Sequence, residues 1–205
     1  YDKSIVSRTI SCALTSFFGV GNATHRTGIK SETQYVDSVP FGSFYKSLID
    51  KIGYYNEKCP RSEDIEFYNR VLSSGKKIMI SSKIIVNYMC NNTMSMIKRY
   101  FRNGGDVTQY YFRDGIKAFK LRHLIPFLFL CALILSFVIY IIHSNPLLLF
   151  YLITIYLSIS IIFSLKMVAE ERDIRFIFSA PLIYFILHIT HGLGALKGIF
   201  VGLKK

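Results

Sequence analysis

Leu124-Ile125-Pro126-Phe127-Leu128-Phe129-Leu130-Cys131-Ala132-Leu133-Ile134-Leu135-Ser136-Phe137-Val138-Ile139-Tyr140-Ile141-Ile142 decides the fold. Only Pro126 and Ser136 interrupt its apolar character. At 1.5 Å per residue a helix of this length spans roughly 28 Å, close to the ~30 Å hydrocarbon core of a bilayer. A soluble core helix rarely stays apolar on every face for so long. The stretch therefore reads as a membrane helix, and the chain as an integral membrane protein. Pro146 to Leu165 repeats the pattern with only Thr and Ser as polar members. The loop His143-Ser144-Asn145 between them is short enough to force an antiparallel hairpin.

Towards the carboxy terminus the connection from Lys166 to Arg175 carries both signs of charge, and a third apolar stretch, Phe176 to His191, follows. The apolar segments are thus 124–142, 146–165 and 176–196. Gly194, Gly198 and Gly202 recur at four-residue spacing, a pattern that lets membrane helices approach closely. Lys197 interrupts it, and short glycine patterns also arise by chance. Pro181 and the glycines leave both a third crossing and a bent, re-entrant segment open.

Towards the amino terminus the composition changes. The whole chain is 51 % apolar with a formal net charge of +12. Seven Lys/Arg stand against two Asp between Met94 and Arg122. Such a basic stretch beside the first span places the preceding residues in the cytoplasm, at the plasma membrane, by the positive-inside rule. Attraction to membrane lipid head groups accounts for most of the charge, and no nucleic-acid-binding motif accompanies it. Cys12, Cys59, Cys90 and Cys131 have neither metal nor redox spacing, so a reduced, structural role is expected. The sequons at Asn22 and Asn91 would then meet no glycosylation enzyme.

Residues 1–105 read as a mixed α/β domain, 106–123 as a basic juxtamembrane segment, and 124–205 as the membrane region. Within Gly42 to Gly53, Phe44, Leu48 and Ile52 lie four apart before a glycine stop, predicting a short amphipathic helix. Pro60-Arg61-Ser62-Glu63-Asp64 opens a second helix, with Ser62 as N-cap, acids in the first turn, and Gly75 as the stop. Lys77 to Ile80 and Ile84 to Tyr88 have β character around Ser81-Ser82-Lys83. Thr93 to Asn103 reads as a basic helix closed by Gly104-Gly105.

One series of motifs stands out: Val36-Asp37-Ser38-Val39-Pro40-Phe41-Gly42, then Ile52-Gly53-Tyr54-Tyr55-Asn56-Glu57, then Ser62-Glu63-Asp64 with Arg70 and Gly75 beyond. This order resembles the second half of a family-2 glycosyltransferase domain of the GT-A (Rossmann-like) type. Phe18-Gly19-Val20-Gly21 with Arg26, the Val-Asp-x-Val-Pro-Phe-Gly string, Arg122-His123-Leu124-Ile125-Pro126 and the His188 to Gly194 region are similar to the succinoglycan-biosynthesis type of bacterial exopolysaccharide glycosyltransferase. The resemblance covers nearly the whole chain.

It implies a membrane-anchored, inverting glycosyltransferase that moves a sugar from a nucleotide-sugar donor to a lipid-linked or glycan acceptor. The catalytic base would be Asp64, beside Glu63. An acceptor hydroxyl is a poor nucleophile, and a positioned carboxylate that takes its proton lowers the barrier; the same two acids could equally do no more than cap their helix. The resemblance puts Asp37 and Gly42 in the acceptor-side loop, although a glycine there also suits an ordinary turn. Related enzymes carry Gln-x-x-Arg-Trp where this chain has Met96 and Arg99-Tyr100, so Arg99 alone carries over, and a processive synthase is the less expected form. Arg99, Arg102 and Arg122 are then phosphate or lipid contacts.

A divalent cation, Mg or Mn, is implied too, but the ligands for it are expected elsewhere. Asn87-Tyr88 stands where many members place a metal-binding His, and the chain contains no Asp-x-Asp. No metal ligand is assigned here, and His188 and His191 read as packing residues. On this reading the chain is the carboxy-terminal part of a longer enzyme and alone binds no donor. The alternative is a non-catalytic membrane subunit with a degenerate domain of this type.

Overall fold

The computed structural model describes residues 4–29, 31–57, 63–86, 92–114 and 121–203, most of them helical. In chain order the elements are α1 (Ile5–Ala13), α2 (Phe17–Val20), α3 (Thr24–Thr27), β1 (Thr33–Val36), α4 (Lys46–Ile52), α5 (Glu63–Ser73), β2 (Ile78–Ser81), α6 (Thr93–Asp114), α7 (Leu121–His143), α8 (Leu147–Glu171) and α9 (Phe176–Gly202). The last three are long and apolar enough to cross a membrane, as expected of a membrane protein.

The apolar segments extend further than their hydropathy alone suggests. α8 runs on to Glu171, so the charged connection shrinks to 172–175, and Arg172 ends the helix in the left-handed region at φ 52°. The third segment is one continuous helix through Pro181. At 27 residues α9 is roughly 40 Å long. α9 is also the hub: half of its apolar window is buried, against 17 % for α7 and 11 % for α8. The outer faces of α7 and α8 leave Ile141, Ile142, Phe150 and Tyr151 exposed, as lipid-facing helices require.

The glycine spacing on α9 is a packing device. A side chain at Gly194 would stand 2.0 Å from the Phe101 carbonyl oxygen, and one at Gly198 2.5 Å from that of Gly105. Reciprocally, one at Gly104 would stand 2.2 Å from the His191 oxygen. Here the structure corrects the expected helix stop at Gly104-Gly105: α6 continues for nine more residues to Asp114. Each mid-helix glycine costs about 1 kcal/mol relative to alanine. The cost is accepted because only a bare backbone lets α6 lie this close to α9.

α1 and α2 dock on the same hub. Ile10, Ala13 and Leu14 share one apolar core with Met96 and Tyr100 of α6, Met167 of α8, and Phe176, Ala180, Ile183, Tyr184 and Leu187 of α9. Arg8 pairs with Glu171 and Asp173, at 2.9 Å each. Arg175, assisted by Arg8, holds the Asp173 carboxyl well below the usual carboxylate range. Burial, with the charge of Glu171, pushes the Cys12 thiol up to about 11, so it stays an unreactive thiol.

The α/β unit is thinner than a GT-A domain. Among the described residues it holds one two-stranded antiparallel sheet, with Thr33 opposite Ser81 and Val36 opposite Ile78. Phe67, Tyr68, Val71 and Ile78 are its core, with Phe44, Leu48 and Ile52 of the expected amphipathic helix packed against them. Ile84 to Val86 form no strand and stay exposed. With no third strand beside them among the described residues, these apolar residues have no ladder to join. The remainder of that predicted strand (87 and 88), the predicted N-cap Ser62, Cys59, Cys90 and Asn91 lie outside the described residues.

Candidate functional site

Glu63, Asp64, Gly42, Asp37 and Arg122, all singled out from sequence, lie between the start of α5 and the head of α7. Asp64 is exposed in the first turn of α5, and its Oδ1 accepts the Ile65 backbone N–H at 2.7 Å. Neighbouring Glu63 is half-buried, and its Oε2 has no hydrogen-bond partner among the described residues. One turn further along, burial pushes the Tyr68 phenol up, and the charges of Tyr55 and Asp64 add to this while the Gly42 backbone opposes it. Gly42 thus lies against Tyr68, on the same helix as Asp64.

Gly42 has a steric reason to be glycine. A Cβ there would stand 2.2 Å from the Tyr68 hydroxyl oxygen and 3.1 Å from a Val39 methyl. Gly42→Ala should therefore destabilise the α/β unit by about 1–3 kcal/mol, and adding Tyr68→Phe should restore most of the loss. Thermal unfolding of the single and double variants in detergent checks this. Equal midpoints for the two would remove the steric explanation.

The loop leading to Gly42 is strained at its tip. Phe41 has φ 52° with its ring 88 % exposed, a conformation that costs an aromatic residue about 1–3 kcal/mol and occurs mainly where a site demands it. No local sequence pattern signals this strain. At the loop's other end Asp37 Oδ2 accepts from Arg122 Nη1 at 3.2 Å, and Asn22 Oδ1 accepts from the same nitrogen at 3.2 Å. Two candidate residues from opposite parts of the sequence, Asp37 and the juxtamembrane Arg122, are therefore direct partners. Asn22 carries no signal in the sequence beyond its sequon.

Gly21 makes room for this contact. Its φ is 63°, and a Cβ at this position would stand 2.8 Å from the Arg122 Cβ; the conformation and the crowding both exclude other residues. The preceding Phe18 fixes the segment on the membrane helices. Its ring packs against Tyr156, Phe163, Tyr184 and His188, and its carbonyl accepts from His188 Nε2 at 2.9 Å. The other nitrogen of His188 meets the Tyr156 hydroxyl at 2.9 Å. His188 is thus fully engaged in packing contacts.

Arg70 orders the turn before α5. It pairs with Glu66 at 2.7 Å and donates to the carbonyls of Ile52, Gly53 and Tyr54. The other two arginines lie on α6: Arg99 is half-buried, next to the buried Tyr100, and Arg102 is exposed on the same helix. Met96, three residues before Arg99, is wholly buried in the α9 core.

No three His, Cys, Asp or Glu side chains converge among the described residues. These residues therefore do not fit a divalent ion, and no chemical step is assigned to one. No protein-family model, curated protein or solved structure matches the chain.

Proposed function

We propose that this protein is a membrane-anchored, inverting glycosyltransferase, and that the described residues form its acceptor side. One arrangement carries the reading: Tyr68, on the same helix as the exposed Asp64, crowds Gly42, and Asp37 at the other end of that loop pairs with Arg122 at the head of a membrane helix. A lipid-linked acceptor needs that arrangement, because its phosphate stays at the membrane surface while its sugar hydroxyl must reach a base.

In the reaction Asp64 takes the proton of the acceptor hydroxyl as the oxygen attacks the anomeric carbon. The new C–O bond forms on the face opposite the departing nucleoside diphosphate, whose bond to that carbon breaks, so configuration inverts. Asp64 then holds the proton and releases it to water. The donor is a nucleotide sugar, the acceptor a lipid-linked or polysaccharide glycan, and the setting exopolysaccharide synthesis at the cytoplasmic face of the plasma membrane.

The test uses native membranes. Membranes from cells that make the protein, given a panel of labelled nucleotide sugars and a lipid extract, should pass label from one of them into lipid or polymer. Membranes from deletion cells should not. Equal incorporation by both across the panel would overturn the proposal and favour a non-catalytic subunit.

A further inference from the structure

A closed ring of contacts surrounds the point where the chain enters α7. Arg26 of α3 donates from Nη1 to the Tyr100 hydroxyl on α6 at 3.4 Å. The Tyr100 ring lies against His191 of α9, with centroids 6.5 Å apart. His191 stacks on His123 of α7 at 6.1 Å. The residue before His123 is Arg122, which holds Asn22, and Asn22 leads into α3 and back to Arg26. Five segments of the chain meet here, bringing together the permanent positive charges of Arg26 and Arg122 and the Asp37 carboxylate that Arg122 holds. Tyr100 and His191 are each 7 % exposed and the Arg122 side chain 11 %, while Asn22 is exposed and Asp37 is 41 % exposed. The cluster is buried at its base and open at its mouth.

Two features of the ring ask for a ligand. The Nδ1 of His191 is buried without a hydrogen-bond partner among the described residues, a costly state for a polar atom. Both bonds of Arg122 leave from Nη1, so its Nε and Nη2 edge has no hydrogen-bond partner among the described residues. That edge is the fork that matches two oxygens of a phosphate. Arg122 is also the second residue of an apolar span, the level at which lipid head groups lie.

We propose that Arg26, Arg122, Tyr100 and His191 form a phosphate site, and that Asp37 occupies its mouth until a phosphate or diphosphate displaces it. A guanidinium gives up a partly exposed carboxylate readily, since such a pair is worth little in water, whereas a doubly charged anion gains bonds from both arginines. The inference deepens the glycosyltransferase reading and rests on it only for naming the ligand as part of a substrate. Neither the ring nor the anion chemistry depends on that reading.

The experiment titrates inorganic diphosphate into the full chain in detergent by calorimetry. The unmodified protein should bind. Arg26→Gln and Arg122→Gln should each weaken binding at least tenfold, while Lys98→Gln, an exposed charge on α6, should change it less than twofold. Asp37→Asn should tighten binding at least threefold, because it removes the competing carboxylate, and a loss of packing could not produce that sign. Displacement of the diphosphate by a polyprenyl phosphate in nanodiscs would assign the site to a lipid head group. Failure of the lipid to displace it would assign the site to a free diphosphate. No binding, an equal loss in Lys98→Gln, or weaker binding by Asp37→Asn would each overturn the site. If it is overturned while native membranes still transfer sugar, the glycosyltransferase reading stands without it.

Discussion

Asp64→Asn should lower sugar transfer by native membranes about 10²–10⁴-fold, the usual contribution of a positioned general base. That loss corresponds to roughly 3–5 kcal/mol of transition-state stabilisation. The substitution isolates the proton acceptor from the helix cap. Asp64 accepts the Ile65 N–H through Oδ1, and the asparagine carbonyl keeps an acceptor in that place, so α5 should stay folded. Glu63→Gln is the matched comparison, since it removes an equal charge from the same helix turn. If the two acids only favour the helix dipole, both variants should cost a few tenths to about 1 kcal/mol of stability and leave transfer intact. If Asp64 is the base, only its variant should lose transfer. Activity within twofold of the unmodified protein would move the base elsewhere.

The second large effect is structural. Gly194→Leu should detach α6 from α9, because the first side-chain atom would already stand 2.0 Å from the Phe101 carbonyl oxygen and 2.8 Å from its carbon. Both atoms belong to the backbone and cannot swing aside, so the helices must separate. Inserting bulk into a packed site costs about 1–3 kcal/mol, and even about 1–2 kcal/mol shifts an equilibrium about 5–30-fold. Tryptic cleavage after Lys98, Arg99 and Arg102 should therefore quicken by about that factor. Phe200→Ala on the exposed side of α9, where the ring is 61 % exposed, should leave the cleavage rate nearly unchanged. Equal rates for the two variants would mean that the glycine surface does not hold α6. Because α6 carries Tyr100 and α9 carries His191, Gly194→Leu should also reduce diphosphate binding.

The amino-acid sequence by itself determined what depends on a short window. The run Leu124 to Ile142 is long enough and apolar enough to specify a membrane helix without reference to any other residue. The hairpin of α7 and α8 follows from its short loop, and α4 and α5 follow from periodicity and glycine stops within a few residues. The acids Glu63 and Asp64 were legible for the same reason, since their meaning lies in where one helix begins.

Only the tertiary structure decided the rest. Gly104-Gly105 has the local signature of a helix end, yet α6 passes through it because α9 supplies a surface that only glycines can approach. The pair Asp37–Arg122 and the ring through Arg26, Tyr100, His191 and His123 depend on residues from distant parts of the chain, and no local pattern marks them. α1 was equally silent, because its apolar face has meaning only against α9. Local propensities are worth about 1 kcal/mol or less per residue, and close packing between distant segments outweighs them wherever the two disagree.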